Sequence, residues 1–387
     1  MSAVMEKVIA DARVVVCVGS GGVGKTTTAA VVAMQAAMMG RRTLVMTVDP
    51  ARRLANALGL TGLDEDIQRI DLSSLGYEGP GELHATMLDM KRALDEIVER
   101  HAPDVATRDA ILENQFYHYF STSLAGAQEL SAGERLYHEA GSGRWDLIVL
   151  DTPPTANALD FLDAPIRFHE ALDSAALQWV IEASGQAAKK GGSWLNVGTQ
   201  FMTRVLGRFT GMEFFEELSG FLVHFSTLFE GFHARTRATA ELFADPSTTF
   251  LIITSPDPMT VREALYFRGH LSSLRVRLGA LIVNRVRRTF EGADADDIPV
   301  VVDSLMRIEG AEIEGRATLE RLARKLVANA HEWDVLALRD RKVCADLAVE
   351  VSPSPVLSIP LHAGDVHNLE LLNKLRQDLL AAVPAGR

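Results

Sequence analysis

The chain alternates between short, almost unbroken apolar runs and longer stretches whose apolar residues recur at helical spacing. RVVVCV, Arg13–Val18, is a β-branched run of the length of one strand buried on both faces. TTTAAVVAMQAAMM, Thr26–Met39, is Ala-rich and long enough for a helix of several turns. RTLVMTVDP, Arg42–Pro50, predicts a second strand that ends in a carboxylate and a Pro. The segment RWDLIVLDTPPTANALDFL, Arg144–Leu162, opens with a third apolar run that ends at Asp151, and GALIVN, Gly279–Asn284, is a further one. Continuous apolar strands interleaved with helices predict an α/β fold, a doubly wound and mostly parallel sheet, because parallel neighbours need crossovers and both faces then need cover.

Two segments exceed what such a sheet requires. Leu83–Glu139 reads as helices around HATMLDMKRALDEIVERH and runs through the aromatic patch QFYHYF, Gln115–Phe120. Ile166–Phe243 carries eight of the chain's 16 Phe between Phe201 and Phe232, several times their proportional share. Met212, Phe215, Leu218, Leu222, Phe225, Phe229 and Phe232 recur at helical spacing, and Phe214, Phe221 and Val223 widen the stripe beyond one packed face. Two readings fit this inserted α-helical subdomain: an apolar surface offered to a partner, or a helical layer buried against its own neighbours. The resulting division is a sheet core over 1–82, a helical segment over 83–139, core again over 140–165, the Phe-rich helices over 166–245, and core with C-terminal helices over 246–387. Glu291–Lys342 mixes acidic and basic residues at helical spacing and predicts a solvated helical cover.

Composition narrows the classes. A chain of 387 residues with 47% hydrophobic content buries a substantial core. Acidic residues outnumber basic ones by 51 to 39, giving a net charge of −12, which argues against nucleic acid as a partner. Two cysteines, Cys17 and Cys344, with no CxxC pair and no leader-like start, predict a cytoplasmic protein, peripheral at a membrane only through a partner.

The chemistry is concentrated in GSGGVGKTT, Gly19–Thr27, which satisfies G-x-x-x-x-G-K-[ST] between a predicted strand and a predicted helix. The glycines let backbone N–H groups of Gly21, Gly22, Val23, Gly24 and the residues after them curve around phosphate oxygens at a helix N-terminus. Lys25 supplies charge for the β- and γ-phosphates, Thr26 a hydroxyl for Mg²⁺, and Thr27 continues the helix start. Asp49 ends its strand on the ligand side of the sheet, where it would orient the water that attacks the γ-phosphoryl group; capping the next helix is the alternative. Asp151, at the end of its own apolar strand, is placed to hold Mg²⁺ directly or through water. A nucleotide's phosphate chain and Mg²⁺ are therefore the expected ligands, and that the nucleotide is ATP follows only from the resemblance below.

Taken in order, GSGGVGKTT, VDPARRLANALG, LDTPPTANALDFL, LIVNRV and IPLHAGDVHNL resemble the arsenical-pump and tail-anchored-protein-targeting ATPases, the ArsA-type branch of the deviant-Walker P-loop NTPases of the SIMIBI class. The resemblance implies an ATPase whose dimer closes on ATP. It implies that Asp49 is the water-activating residue and that Asp151, Thr152, Pro153 and Pro154 form a nucleotide-sensing switch. It also implies that Asn284 recognises adenine and that Pro360 and Leu361 begin an adenine loop reaching Asp365, where the residues alone leave Asn284 as a strand-end cap and His362 and His367 as solvated. The Phe-rich helices would then line a groove for hydrophobic helical segments of client proteins.

One position departs from that pattern. Ser20 stands where the resemblance leads one to expect a Lys that reaches the partner's phosphates across the dimer. Slow hydrolysis, an Arg such as Arg52 or Arg53 acting in its place, or a heterodimer with a Lys-bearing paralogue would each accommodate it. Arg53, Asn157 and the missing zinc CxxC depart too. The leading expectation is an ATPase, homodimeric or heterodimeric, that captures apolar protein segments and works with a membrane receptor or pump. The alternatives are an arsenite-pump ATPase, which needs clustered thiolates, and a nucleotide-dependent scaffold that hydrolyses ATP weakly or not at all.

Overall fold

The computed structural model describes residues 3–48, 53–60, 62–63, 66–88, 90–115, 117–118, 121, 127–152, 224, 229–290, 298–308 and 315–382. Eight strands make one sheet: β1 Val14–Val18, β2 Arg42–Thr47, β3 Gln68–Ile70, β4 Glu82–Met87, β5 Leu147–Asp151, β6 Thr248–Thr254, β7 Leu278–Val286 and β8 Val356–Pro360. Their order is β3-β4-β2-β5-β1-β6-β7-β8, with the edge strand β3 antiparallel to β4 and all other neighbours parallel. β1, β5 and β6 are buried at every residue, as their continuous apolar runs require of strands covered on both faces.

The helices are α1 Ala3–Asp11, α2 Lys25–Met38, α3 Arg53–Ala57, α4 Met90–His101, α5 Val105–Leu112, α6 Ala127–Gly141, α7 Phe229–Ala244, α8 Pro258–Ser273, α9 Ile298–Met306, α10 Arg316–Glu350 and α11 Leu369–Ala381. Side chains alternate across the sheet, so one helical layer packs on Val15, Cys17, Val45 and Val149, with Ile9, Ala30, Met34 and Leu372 of α1, α2 and α11. The other packs on Val14, Val16, Ile148 and Phe250, with Leu136, Phe243, Phe267 and Leu347 of α6, α7, α8 and α10. This is the doubly wound α/β arrangement the alternation predicts. Among the described residues no helix is long and apolar enough to cross a membrane.

The stretch beginning at Leu83 needs correction. Glu82–Met87 is a strand rather than the start of a helix, paired in parallel with β2 from Arg42↔Glu82 to Thr47↔Met87. Leu83 and Ala85 enter the first apolar layer while Glu82, His84 and Thr86 take the other face, a period of two that the following helical pattern of α4 obscures. The sheet therefore extends to Met87, past the expected core boundary at 82. The solvated helical cover is found in α9 and α10, whose contact is sealed by Val302, Leu319 and Ala323. Of the Phe-rich stripe, Met212, Phe215, Leu218, Leu222 and Phe225 lie outside the described residues, as does the side chain of Phe229, the first residue of α7.

Candidate functional site: a phosphate loop at the carboxyl edge of the sheet

The loop between β1 and α2 bends as its glycines allow. Gly22 and Gly24 have φ of 77° and 96°, values in the left-handed region that residues with a Cβ adopt at a cost. At Gly24 a Cβ would also meet the amide of Asn284, whose side chain would have to shift from the Val23 carbonyl to make room. The Lys25 ammonium is buried and donates to the carbonyls of Gly19 at 2.7 Å and Ser20 at 2.9 Å. Its charge is thereby kept at the mouth of the loop, and carbonyls are weaker acceptors for it than phosphate oxygens of full negative charge.

Three strand ends meet beside this loop. Asp151 stands opposite both Cys17 and Thr47 in the sheet register. Its buried carboxylate accepts the Thr47 hydroxyl at 2.8 Å, and the Thr152 hydroxyl donates to the Cys17 carbonyl at 2.8 Å. The switch expected to start at Asp151 is thus anchored to β1 at its first two residues; Pro153 and Pro154 lie outside the described residues. Burial, and after it the charge of Asp151, holds the Cys17 thiol well above its ordinary value, with Lys25 opposing.

A cavity of about 500 Å³ opens in front of the loop, lined by Gly22, Gly24, Lys25, Thr26, Thr27 and Thr152 together with Asn56, Arg285, Asp365, Val366 and His367. That volume is in the range of pockets that enclose a small ligand. Five of the expected loop residues and Thr152 therefore converge on one space. The two residues expected to hold Mg²⁺ offer a hydroxyl and a carboxylate, the hard oxygen donors that this cation takes. Asp49 lies outside the described residues.

Asn284, Pro360 and Leu361 do not line this cavity. The Asn284 side chain donates to the Val23 carbonyl at 2.9 Å and accepts the Arg285 N–H at 2.9 Å, so it ties β7 to the loop from behind. Pro360 ends β8, and the Leu361 N–H is paired with the Val286 carbonyl at 2.9 Å. Asp365, the last residue of the expected adenine loop, does reach the cavity, and His367, read from sequence as solvated, lines it beside Asp365. Asn56 and Arg285 went unread as well. The signal for Arg285 was present, a charged residue inside the apolar strand LIVNRV.

Ser20 has a partner that no local pattern reveals. Its hydroxyl donates to the Glu263 carboxylate, which α8 brings from 243 residues away. α8 is started by Asp257, whose side chain accepts the Met259 N–H, with Pro258 in the first turn. An acid therefore occupies the surroundings of the position where the resemblance leads one to expect a cation.

The two thiols are separated. Cys17 packs in the layer of α1 and α2, and Cys344 in the layer of α8 and α10, on the opposite face of the sheet. Burial pushes the Cys344 thiol up to about 11.

Comparison with known proteins places this geometry. The chain is 23% identical over 381 residues to an Aquifex aeolicus protein named as an arsenical pump-driving ATPase, covering 97% of this chain and 80% of that one. It is 23% identical over 281 residues to the ATPase get3 of Aspergillus terreus, covering 72% and 74% of the two chains. With the ATPase ASNA1 homolog 1 of Paramecium tetraurelia the identity is 23% over 273 residues, or 69% and 73%. Residues 12–300, from the start of β1 through the loop, the three strand ends and Asn284, match the profile of the anion-transporting ATPases, and the chain belongs to that family.

Proposed function

We propose that this ATPase works as a dimer that closes on ATP, hydrolyses it to ADP and phosphate, and uses the closed state to hold apolar helical segments of client proteins. The observation that carries the nucleotide part is the convergence of Gly22, Gly24, Lys25, Thr26 and Thr152 on one cavity at the carboxyl ends of the strands. Backbone N–H groups of the loop and the N-terminus of α2 hold the phosphates, and the Lys25 ammonium exchanges two carbonyls for phosphate oxygens. Thr26 and Asp151 would hold Mg²⁺, which when bound neutralises charge on the phosphates. Asp49 orients the attacking water, and Thr152, on the carbonyl of Cys17, passes the state of the site to the segment after β5.

Capture of apolar segments is favoured over metalloid transport by the placement of Cys17 and Cys344 on opposite faces of the sheet, each buried and each held protonated. As(III) needs several thiolates around one point. The name of the Aquifex relative supports the second reading, an anion-pump subunit. One assay separates them: ATP turnover of the isolated chain with Mg²⁺, alone, with arsenite, and with a soluble peptide bearing an apolar helix. Turnover that responds to the peptide and not to arsenite is expected. Several-fold stimulation by arsenite, lost when Cys17 and Cys344 are replaced by Ser, would establish the pump reading instead; turnover near zero in all arms would establish a scaffold.

A further inference from the structure

Among the described residues two that are not Gly have positive φ, Arg275 at 58° and Arg285 at 62°. Arg275 follows the last turn of α8, and its N–H pairs with the Ser272 carbonyl, the usual left-handed closure of a helix. Arg285 has no such reason. It lies inside β7, between Asn284 and Val286, where the pairing with β8 jumps from Val283↔Ser358 to Val286↔Pro360. A strand residue normally continues the pleat, and a β-branched or long side chain in the left-handed region is strained. The irregularity re-aims one side chain, as such bulges do beside functional sites. The residue it re-aims lines the nucleotide cavity.

We infer that Arg285 is a nucleotide-binding residue whose guanidinium plane packs on the face of the base. This rests on reading the cavity as the ATP site. The direction follows from the sheet order: the phosphate loop leaves β1, and moving outward come β6, then β7 with Arg285, then β8, whose following loop supplies Asp365, Val366 and His367. With the phosphates at Gly22–Thr27, the β7–β8 side of the cavity is left for the other end of the nucleotide. Arg285 stands there next to Asn284, which is occupied with Val23 and with the Arg285 N–H itself. A planar, permanently charged group suits an aromatic face, and it selects for the area of the ring system more than for its edge pattern. By accepting the N–H of Arg285, Asn284 also holds the bulge in place.

The test compares Arg285→Gly and Arg285→Lys with the wild type, measuring affinities for ATP and for inorganic tripolyphosphate by calorimetry, and thermal unfolding without ligand. Gly accepts the left-handed backbone, so Arg285→Gly is expected to melt no lower than wild type while losing about tenfold in ATP affinity. Tripolyphosphate binding is expected to stay unchanged, and Arg285→Lys, which keeps charge without the plane, to recover only part of the loss. Equal loss for ATP and tripolyphosphate would make Arg285 a phosphate ligand and overturn the inference. Unchanged ATP affinity in Arg285→Gly would overturn it as well. Wild-type protein that binds tripolyphosphate but gains nothing from the base would refute the base contact, whereas wild-type protein that binds neither would refute the nucleotide site from which it starts.

Discussion

Lys25 and Asp49 are assigned different work, and substitution separates the two. Lys25→Ala removes the buried ammonium now shared by the Gly19 and Ser20 carbonyls and is expected to abolish ATP binding at micromolar concentrations. Asp49→Asn keeps shape and hydrogen bonding but not basicity, so ATP is expected to bind with turnover reduced about a hundredfold or more. Direct binding and single-turnover assays distinguish the outcomes; equal loss of affinity in both variants would remove Asp49 from the chemistry. Ser20 is the harder residue. If a charge supplied across a dimer limits turnover, Ser20→Lys raises it, by up to ~10³ where geometry is ideal. Glu263, which holds the Ser20 hydroxyl, would pair with that new ammonium within the same chain. Ser20→Lys combined with Glu263→Gln is therefore expected to gain more than Ser20→Lys alone, by roughly tenfold, and no gain in either would show that this position does not limit the rate.

At the scale of elements, the Phe-rich stretch before α7, read from the sequence as helical, carries the proposal about clients. Leu222→Asp with Phe225→Asp is expected to weaken capture of an apolar helical peptide at least tenfold while leaving ATP affinity unchanged, since each large apolar side chain contributes about 1.5–3 kcal/mol when buried. Circular dichroism and solubility of the variant decide between the two sequence readings: a folded variant that still holds the peptide refutes the groove, and an aggregated one assigns the stripe to internal packing. α7, which follows that stretch in the chain, is part of the second layer, with Phe243 edge-on to Phe250 at 6.0 Å between ring centres. β4 shows how neighbouring elements mislead a reading by period. Its six residues place Leu83, Ala85 and the half-buried Met87 on the core face, and the strongly amphipathic α4 begins three residues later.

Over the whole molecule, polar contacts of long range add to the apolar packing that joins the C-terminal helices to the sheet. Asp340 of α10 is buried and accepts the backbone N–H of Arg287 at 3.0 Å and its guanidinium at 3.0 and 3.1 Å, just beyond the end of β7. The same guanidinium lies over the Trp333 ring, 5.8 Å from its centre. Arg287→Ala leaves the Asp340 carboxylate with the backbone N–H of residue 287 from this set, and is expected to cost about 2 kcal/mol, read from the urea midpoint of unfolding. Because β7 leads directly into Arg287 from Arg285, weaker ATP binding in the same variant is expected to accompany the loss of stability.

What the sequence determines by itself is local. A β-branched run, a glycine loop, a Lys-Thr pair and an Ala-rich helix follow one another within about two dozen residues, and each is dictated by backbone sterics, burial or phosphate chemistry acting over that short range. The ends of β1, β2 and β5 were legible for the same reason: an apolar run that stops at a Gly or a polar residue marks the end of a strand. The tertiary structure decided what meets across that edge. Glu263 reaches Ser20 over 243 residues and Asn284 reaches Val23 over 261, separations at which no spacing rule acts. The order of the strands put Arg285 and His367 at the cavity wall, because which side chain of β7 faces the cavity depends on one irregular step in the β7–β8 pairing. The two cysteines could be counted in the sequence, but only the sheet between them, with its alternating faces, keeps them apart.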